Sequence, residues 1–443
     1  MMDAVIGGKD AASTAQRTSL VAFVIRIASA AIAFFSQVLL ARLMGTYEYG
    51  IFALVWVSVV ILGSLSCLGM QTSIVRFLPD YAAQGDMARL RGLLSTSRLF
   101  VLAVSSSIAL LAGTTIYVFA HLFDSHYVVP FLIGVLAIPM VSLADTLEGT
   151  ARANSWAIRA LTPTYIVRPL LLFGFMLIAW LAGYPMNGTT GLICAVVAAY
   201  VTTVGQLFFI TKHVDATFPQ SDNPKSEMGT WFFVALPLFL VEGFFFLLIN
   251  ADVLMVGVLM TPQDVAVYYA TVKTLALVHF VYFAVKAGVA HQFASQISNP
   301  DKLPLRQLAR QSVTWTFWPS LAMGLLLLAA GPWLLAMFGA EFKDGYPLLF
   351  LLVTGVVLRA SVGPAESLLN MSGHHKVCAK LFACALGINL VLNALLIPVY
   401  GLYGAALATA TATIFETIAL FVVVRRTLGV SMFVFAPLPQ ESN

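Results

Sequence analysis

RLMGTYEYGIF, residues Arg42–Phe52, and VLMTPQDVAVY, residues Val258–Tyr268, decide the fold. They stand roughly 215 residues apart. Each reads as the end of an apolar helix, a tight turn, an acidic residue (Glu48 or Asp264) and the start of the next helix. Further matches follow in the same order. Gly85-Asp86 with Arg91 and Ser97 answers Pro300-Asp301 with Arg306 and Ser312, Glu148 answers Glu366, and Lys212 answers Arg425. The chain is therefore read as two copies of one design.

The helices around those turns belong in a membrane. The chain has 443 residues, is 60% hydrophobic and only 10% charged, which excludes an ordinary soluble globule. A spanning helix needs about 20 mainly apolar residues. Twelve runs qualify: 20–42, 51–75, 99–121, 128–150, 161–182, 190–211, 231–256, 265–290, 313–338, 346–370, 377–398 and 402–424. They are too long, and alternate too little, for transmembrane strands. The first run is read as a span, not a cleavable signal, because it is long and lacks a small-residue cleavage site. The expected fold is an all-α integral membrane protein with twelve transmembrane helices, in two pseudo-symmetric six-helix lobes around a central cavity. Lobe boundaries are expected at 1–213 and 230–443, joined by a linker at 214–229 rich in Pro, Asp, Ser and Asn, which reads as solvated and cytoplasmic. Six spans per copy make the repeat parallel.

Lys and Arg in the loops set the orientation. With the N-terminus in the cytoplasm, 17 fall inside, 2 outside and 5 within spans. Both termini are thus expected in the cytoplasm, and the net charge of +4 reports topology, not binding of nucleic acid. The loop Asp86–Ser97 reads either as an interfacial helix turning Arg89 and Arg91 to anionic headgroups or as a solvated loop. Cys67, Cys194, Cys378 and Cys384 lie in or beside spans and read as packing residues. Walker A, HExxH and GxSxG motifs are absent, so no metal, cofactor or nucleotide is implied.

Cations inside spans are costly and are functional candidates by default. Arg26 lies about seven residues into span 1, roughly 10 Å deep at about 1.5 Å per residue, on a face with Ala30, Ala33 and Gln37. It reads as a cavity residue or as one snorkelling to headgroups. Arg168, in span 5, has Thr164 and Tyr165 on its side and precedes Pro169. It either lines the cavity or bonds carbonyls freed by the proline. Lys273 lies deep in span 8, within reach of Glu242 in span 7 as a pair or a releasable switch. Arg359 shares a face of span 10 with Gly363, Glu366 and Asn370, which reads as a substrate route or an internal charge network. Lys286 reads as snorkelling, and Asp145, Glu148 and Arg152 as a gate or strut. Glu416 reads as a proton carrier or local partner, and Asp252 as water-accessible. Depth decides the balance, since five span cations face six span carboxylates overall.

Three blocks carry a resemblance: VLLARLMGTYEYGIFAL (38–54), LGMQTSIVRFLPDYAAQGD (68–86) and INLVLNALLIPVYGLYGAALATA (388–410). They resemble the bacterial polysaccharide flippases of the multidrug, oligosaccharidyl-lipid and polysaccharide exporter superfamily. The resemblance implies movement of an undecaprenyl-diphosphate-linked oligosaccharide from the cytoplasmic to the outer leaflet of a bacterial inner membrane by alternating access. O-antigen (lipopolysaccharide), capsule or exopolysaccharide units are the implied cargo. H+, Na+ or membrane potential would drive it, beside a polysaccharide polymerase and chain-length proteins. The diphosphate is expected on Arg26, Arg168, Lys273 and Arg359 with Gln37 and Tyr165. Glu242, Glu366, Asp145, Glu148 and Glu416 are expected to couple or gate, and Tyr165, Phe245 and Tyr269 to stack on sugars. The rival readings are a multidrug or cation antiporter of the same superfamily, a membrane glycan polymerase or ligase, and a non-transporting scaffold for glycan assembly.

Overall fold

The computed structural model describes residues 11–122, 124–221, 223–297 and 303–436, with side chains from residue 29 onward except at a few positions in 287–297. Among these residues the chain is helical throughout and contains no strand. The N-terminal half comprises α1 (Ala11–Ser66), α2 (Met70–Gln84), α3 (Met87–Val118), α4 (Ser125–Gly134), α5 (Ile138–Ala153), α6 (Ala157–Thr162), α7 (Arg168–Leu181) and α8 (Gly188–Thr217). The C-terminal half comprises α9 (Met228–Leu248), α10 (Ala251–Leu259), α11 (Pro262–Ile297), α12 (Leu303–Phe338), α13 (Tyr346–Ala360), α14 (Ala365–Met371), α15 (His375–Tyr400) and α16 (Leu402–Leu428).

Ten described helices are long and apolar enough to cross a membrane. The segment Glu341–Ala360 with Ala365–Met371, bent by 42°, makes an eleventh. The twelfth is hidden in α1, where Gly45 (φ 75°, ψ 170°) interrupts an otherwise continuous helix. Glycine takes that left-handed φ without a Cβ penalty, so α1 holds the first two expected spans. The second half breaks at the equivalent place without a glycine, through extended backbone at Met260.

The acidic residue of each quoted stretch caps a helix, but not the same one. Asp264 accepts from Thr261 N at 3.2 Å and Thr261 Oγ1 at 2.6 Å. Glu48 accepts from Gly188 N at 2.7 Å, at the start of α8. Both satisfy amide groups that a helix start leaves unpaired. The predicted match at Pro300-Asp301 lies outside the described residues.

Several spans are less regular than their apolar runs suggest. Span 2 stops at Ser66 and restarts after Leu68 (φ 45°) and Gly69 (φ 82°). Span 7 breaks at Ile249–Asn250. Span 5 contains a π-turn at Pro163–Val167.

Packing divides the chain into two compact units, Met1–Phe239 and Leu240–Asn443. The core of the first gathers Ile74, Leu78, Leu90, Leu93, Leu147 and Trp231. That of the second gathers Phe293, Val313, Leu368, Phe382 and Leu420. Leu110, Leu111, Phe208, Phe209 and Trp333 remain exposed, as side chains solvated by lipid should. The small-residue run after Gly404 forms a close α15–α16 turn. A Cβ added at Gly404 would sit 2.2 Å from the Leu396 carbonyl oxygen.

One expectation about the loops is corrected. The segment 86–97 is neither an interfacial helix nor a loop, but the first three turns of α3, capped by Asp86 accepting from Arg89 N at 3.0 Å. Leu90, Leu93 and Leu94 are buried in the core. Arg89 turns to Asp86 (3.2 Å) and Glu227 (2.8 Å), and Arg91 to Asp215, rather than to headgroups. The linker is mostly exposed, as its composition suggests, but its backbone is tied to α3. Lys225 N donates to Ala88 O at 2.9 Å, and a Cβ at Gly92 would fall 1.8 Å from Lys225 O.

Candidate functional site

In the second unit Arg359 is buried and every part of its guanidinium is occupied. Nε donates to Glu416 at 2.6 Å, Nη2 to Glu366 at 2.8 Å and Nη1 to the Gly363 carbonyl at 2.9 Å. The bend after α13 frees that carbonyl and turns Glu366 back toward Arg359. Glu366 also accepts from the Tyr282 hydroxyl and pairs with Lys286 at 3.2 Å. Two cations and two carboxylates thus form one compensated cluster, the arrangement in which burial of charge is tolerable.

This assigns Glu416 a local partner. It also corrects Lys286, which does not snorkel. Its ammonium pairs with Glu366 and lies 5.7 Å from the Phe245 ring centre and 5.9 Å from that of Tyr282. Sequence reasoning missed Tyr282. The signal was present: His279, Tyr282 and Lys286 are spaced i, i+3 and i+7, one helical face.

Arg359, Glu416, Tyr282, His279 and Phe245 line a cavity that continues to Asp252, Asn389 and Thr409. It has room for water centres over about 100 Å³, where one water needs roughly 10–15 Å³. Several waters or a small cation fit, but a sugar chain does not. Asp252 is 3% exposed and meets water at the wall of this cavity. Its carboxylate accepts from Tyr268 at 2.8 Å, Val253 N at 2.9 Å and Thr409 at 3.3 Å. Asn389 Nδ2 donates to Thr409 at 3.4 Å, and Asn393 Nδ2 to Asn389 Oδ1 at 3.0 Å. The cluster is an oxygen-rich end to a cavity whose other end holds Arg359 and Glu416.

The cations of the first unit differ. Arg168 begins α7 directly after the π-turn. Its Nε and Nη2 are shut off from solvent and meet no acceptor among the described residues. Those two donors form one edge of the guanidinium, the fork that grips a carboxylate or phosphate with two parallel hydrogen bonds. Asp145 and Glu148 act on Arg168 electrostatically. Asp145 itself accepts from Ser64 at 2.8 Å. Tyr165, on the same π-turn, is 45% exposed. Such turns occur frequently at functional sites.

The remaining expected residues are dispersed. Gln37 accepts from the Tyr49 hydroxyl at 3.0 Å. Lys273 lies 4.7 Å from the Tyr269 ring centre, and Tyr269 is buried. Glu242 lies on α9. The side chain of Arg26 lies outside the described residues.

The family described as polysaccharide biosynthesis protein matches residues 16–290. A probable low-salt glycan biosynthesis flippase of Haloferax volcanii is 24% identical over 175 residues. That match spans 38% of this chain and 36% of the relative's length. Among solved structures, a multidrug resistance MATE family transporter of the MOP superfamily superposes with a TM-score of 0.72 at 14% identity, covering 92% of this chain and 98% of that one. A MOP superfamily transporter from Pyrococcus furiosus, whose binding pocket is described as of reversed polarity, gives 0.68 at 12%, covering 94% and 96%. These likenesses identify the fold.

Proposed function

The chain belongs to the polysaccharide biosynthesis protein family, and from that premise we propose that it flips a lipid-linked oligosaccharide diphosphate across a membrane. The family and the two-lobed fold support a transporter rather than an enzyme. The undecaprenyl carrier, the alternating-access mechanism and the bacterial inner membrane belong to this proposal. The observation that carries it is the unmet Nε/Nη2 edge of Arg168. A buried donor pair without an acceptor is costly, and a diphosphate oxygen pair would satisfy both donors. Tyr165 on the same turn is the natural platform for the first sugar. Arg26 and Lys273 remain proposed headgroup contacts.

Arg359 takes a different role in this reading. Its donors are committed to Glu366, Glu416 and a carbonyl, so an arriving anion must displace a carboxylate. We assign Arg359, Glu366 and Glu416, with Tyr282 and Lys286, to coupling. Protonation of either carboxylate would loosen its hold on Arg359, and Asp252 at the far end of the same cavity offers oxygen donors to H+ or Na+. Asp145, Glu148 and Glu242 are proposed as gating residues.

The test is competitive binding to the purified full chain in nanodiscs. Undecaprenyl diphosphate should bind more tightly than undecaprenol, the neutral lipid of the same chain, or an organic cation such as tetraphenylphosphonium, and Arg168→Gln should remove at least tenfold of that preference. Preferential binding of the organic cation would favour a multidrug antiporter and reject this reading.

A further inference from the structure

A second unmet arginine lies where the linker meets the first unit. Arg91 holds the linker, with Nε donating to Pro219 O at 3.2 Å, Nη2 to Phe218 O at 2.6 Å, and Nη1 to the Asp215 carboxylate. Its guanidinium is fully used. Arg98 is seven residues further along α3, on the same face. Its Nη1 donates to Thr211 Oγ1 at 3.0 Å. Its Nε and Nη2 are closed off from solvent and have no acceptor among the described residues. The carboxylate that acts on Arg98 electrostatically is Asp215, which is already paired with Arg91.

Arg91, Arg98, Ser95, Thr211, Gln220 and Ser221 line one cavity with room for water centres over about 240 Å³. One wall is α3, one is α8, and the third is the linker. The cavity therefore combines an arginine edge without an acceptor among the described residues, three hydroxyls and an amide. That donor set matches a tetrahedral oxyanion: the arginine fork takes two oxygens and the neutral donors take the rest. A single carboxylate would leave the hydroxyl donors unused.

We infer that this cavity is a phosphate-binding site, separate from Arg168, that fastens the linker to the N-terminal unit when occupied. The phosphate belongs either to an anionic lipid headgroup or to a free phosphate compound. The neighbouring Arg89 does not compete for it, being held by Asp86 and Glu227.

Trypsin cleavage after Lys225, which lies on the linker and is exposed, reads occupancy directly. The purified full chain would be placed in nanodiscs of phosphatidylcholine, of phosphatidylcholine with inorganic phosphate added, and of phosphatidylcholine with phosphatidylglycerol. An occupied site should slow cleavage at least fivefold. Protection by phosphatidylglycerol alone identifies a lipid headgroup as the ligand, and protection by inorganic phosphate a free one. Equal cleavage in all three overturns the inference. Arg98→Lys keeps the charge but loses the fork, and should abolish most of the protection. Arg98→Gln should abolish all of it, with the melting point within a few degrees of the parent. Protection that survives in Arg98→Lys and Arg98→Gln alike would also overturn it.

Discussion

Replacing Arg359 by Met removes three donors at once, and its two carboxylate partners are left in different states. Glu366 keeps Lys286 at 3.2 Å and the Tyr282 hydroxyl. Glu416, 3% exposed, loses its one ion pair among the described residues. Breaking a buried pair by removing one partner costs about 3–5 kcal/mol, because the other charge stays buried. A unit of this size shifts by about 2–4 °C per kcal/mol, so Arg359→Met should lower the melting point by roughly 6–20 °C. Glu416→Gln leaves Arg359 with Glu366 and the Gly363 carbonyl, and should cost about 1.5–3 kcal/mol, the worth of a charged hydrogen bond. The double variant Arg359→Met, Glu416→Gln carries no stranded charge. It should recover about 1–3 kcal/mol relative to the sum of the single effects. Tryptophan-fluorescence melting in one detergent, at one scan rate because such unfolding is seldom reversible, reads all four proteins. Strict additivity, or a double variant worse than the sum, would refute the assignment of Arg359 and Glu416 to one charge cluster.

Lys286→Met should be milder than Arg359→Met in the same melt, since its side chain is 36% exposed and Glu366 keeps Arg359. Gly92→Ala places a Cβ 1.8 Å from Lys225 O, so it should push the linker off α3 and raise tryptic cleavage after Lys225 severalfold. Gly404→Ala meets the Leu396 carbonyl at 2.2 Å and should cost about 1–3 kcal/mol as overpacking, which lowers the melting point by roughly 2–12 °C.

Much of this fold is legible in hydrophobic run length, because a bilayer demands about 20 apolar residues and internal backbone pairing. The twelve runs and the two copies are therefore visible in the chain. The breaks are harder to read. Gly45 marks one in letters, but the interruptions at Leu68, Asn250 and the π-turn before Arg168 depend on packing that local pattern does not encode. The charges follow the same division. Helical spacing places Arg359, Glu366 and Asn370 on one face, yet it does not reveal that the bend after Ala360 brings Glu366 to the guanidinium. Nor does it show that Glu416 arrives from α16, 57 residues later. Spacing alone favours Arg26 and Arg359, each on a small or polar stripe, over Arg168 beside Pro169. Arg168 is set apart by donors without acceptors, a property of three dimensions only. The linker shows the same division: its Pro, Asp and Ser composition reads as solvated and most of it is exposed, but the composition does not show that Arg89 and Arg91 hold its ends from a distant part of the chain.

The most direct measurement is flipping in proteoliposomes of a fluorescent, short-chain, diphosphate-linked oligosaccharide, comparing the parent with Arg168→Gln at matched reconstitution and unchanged melting point. The account predicts transport by the parent that is lost at least tenfold in Arg168→Gln, and retained in part by Arg168→Lys, which keeps the charge without the fork. Equal flipping by the parent and Arg168→Gln would contradict it.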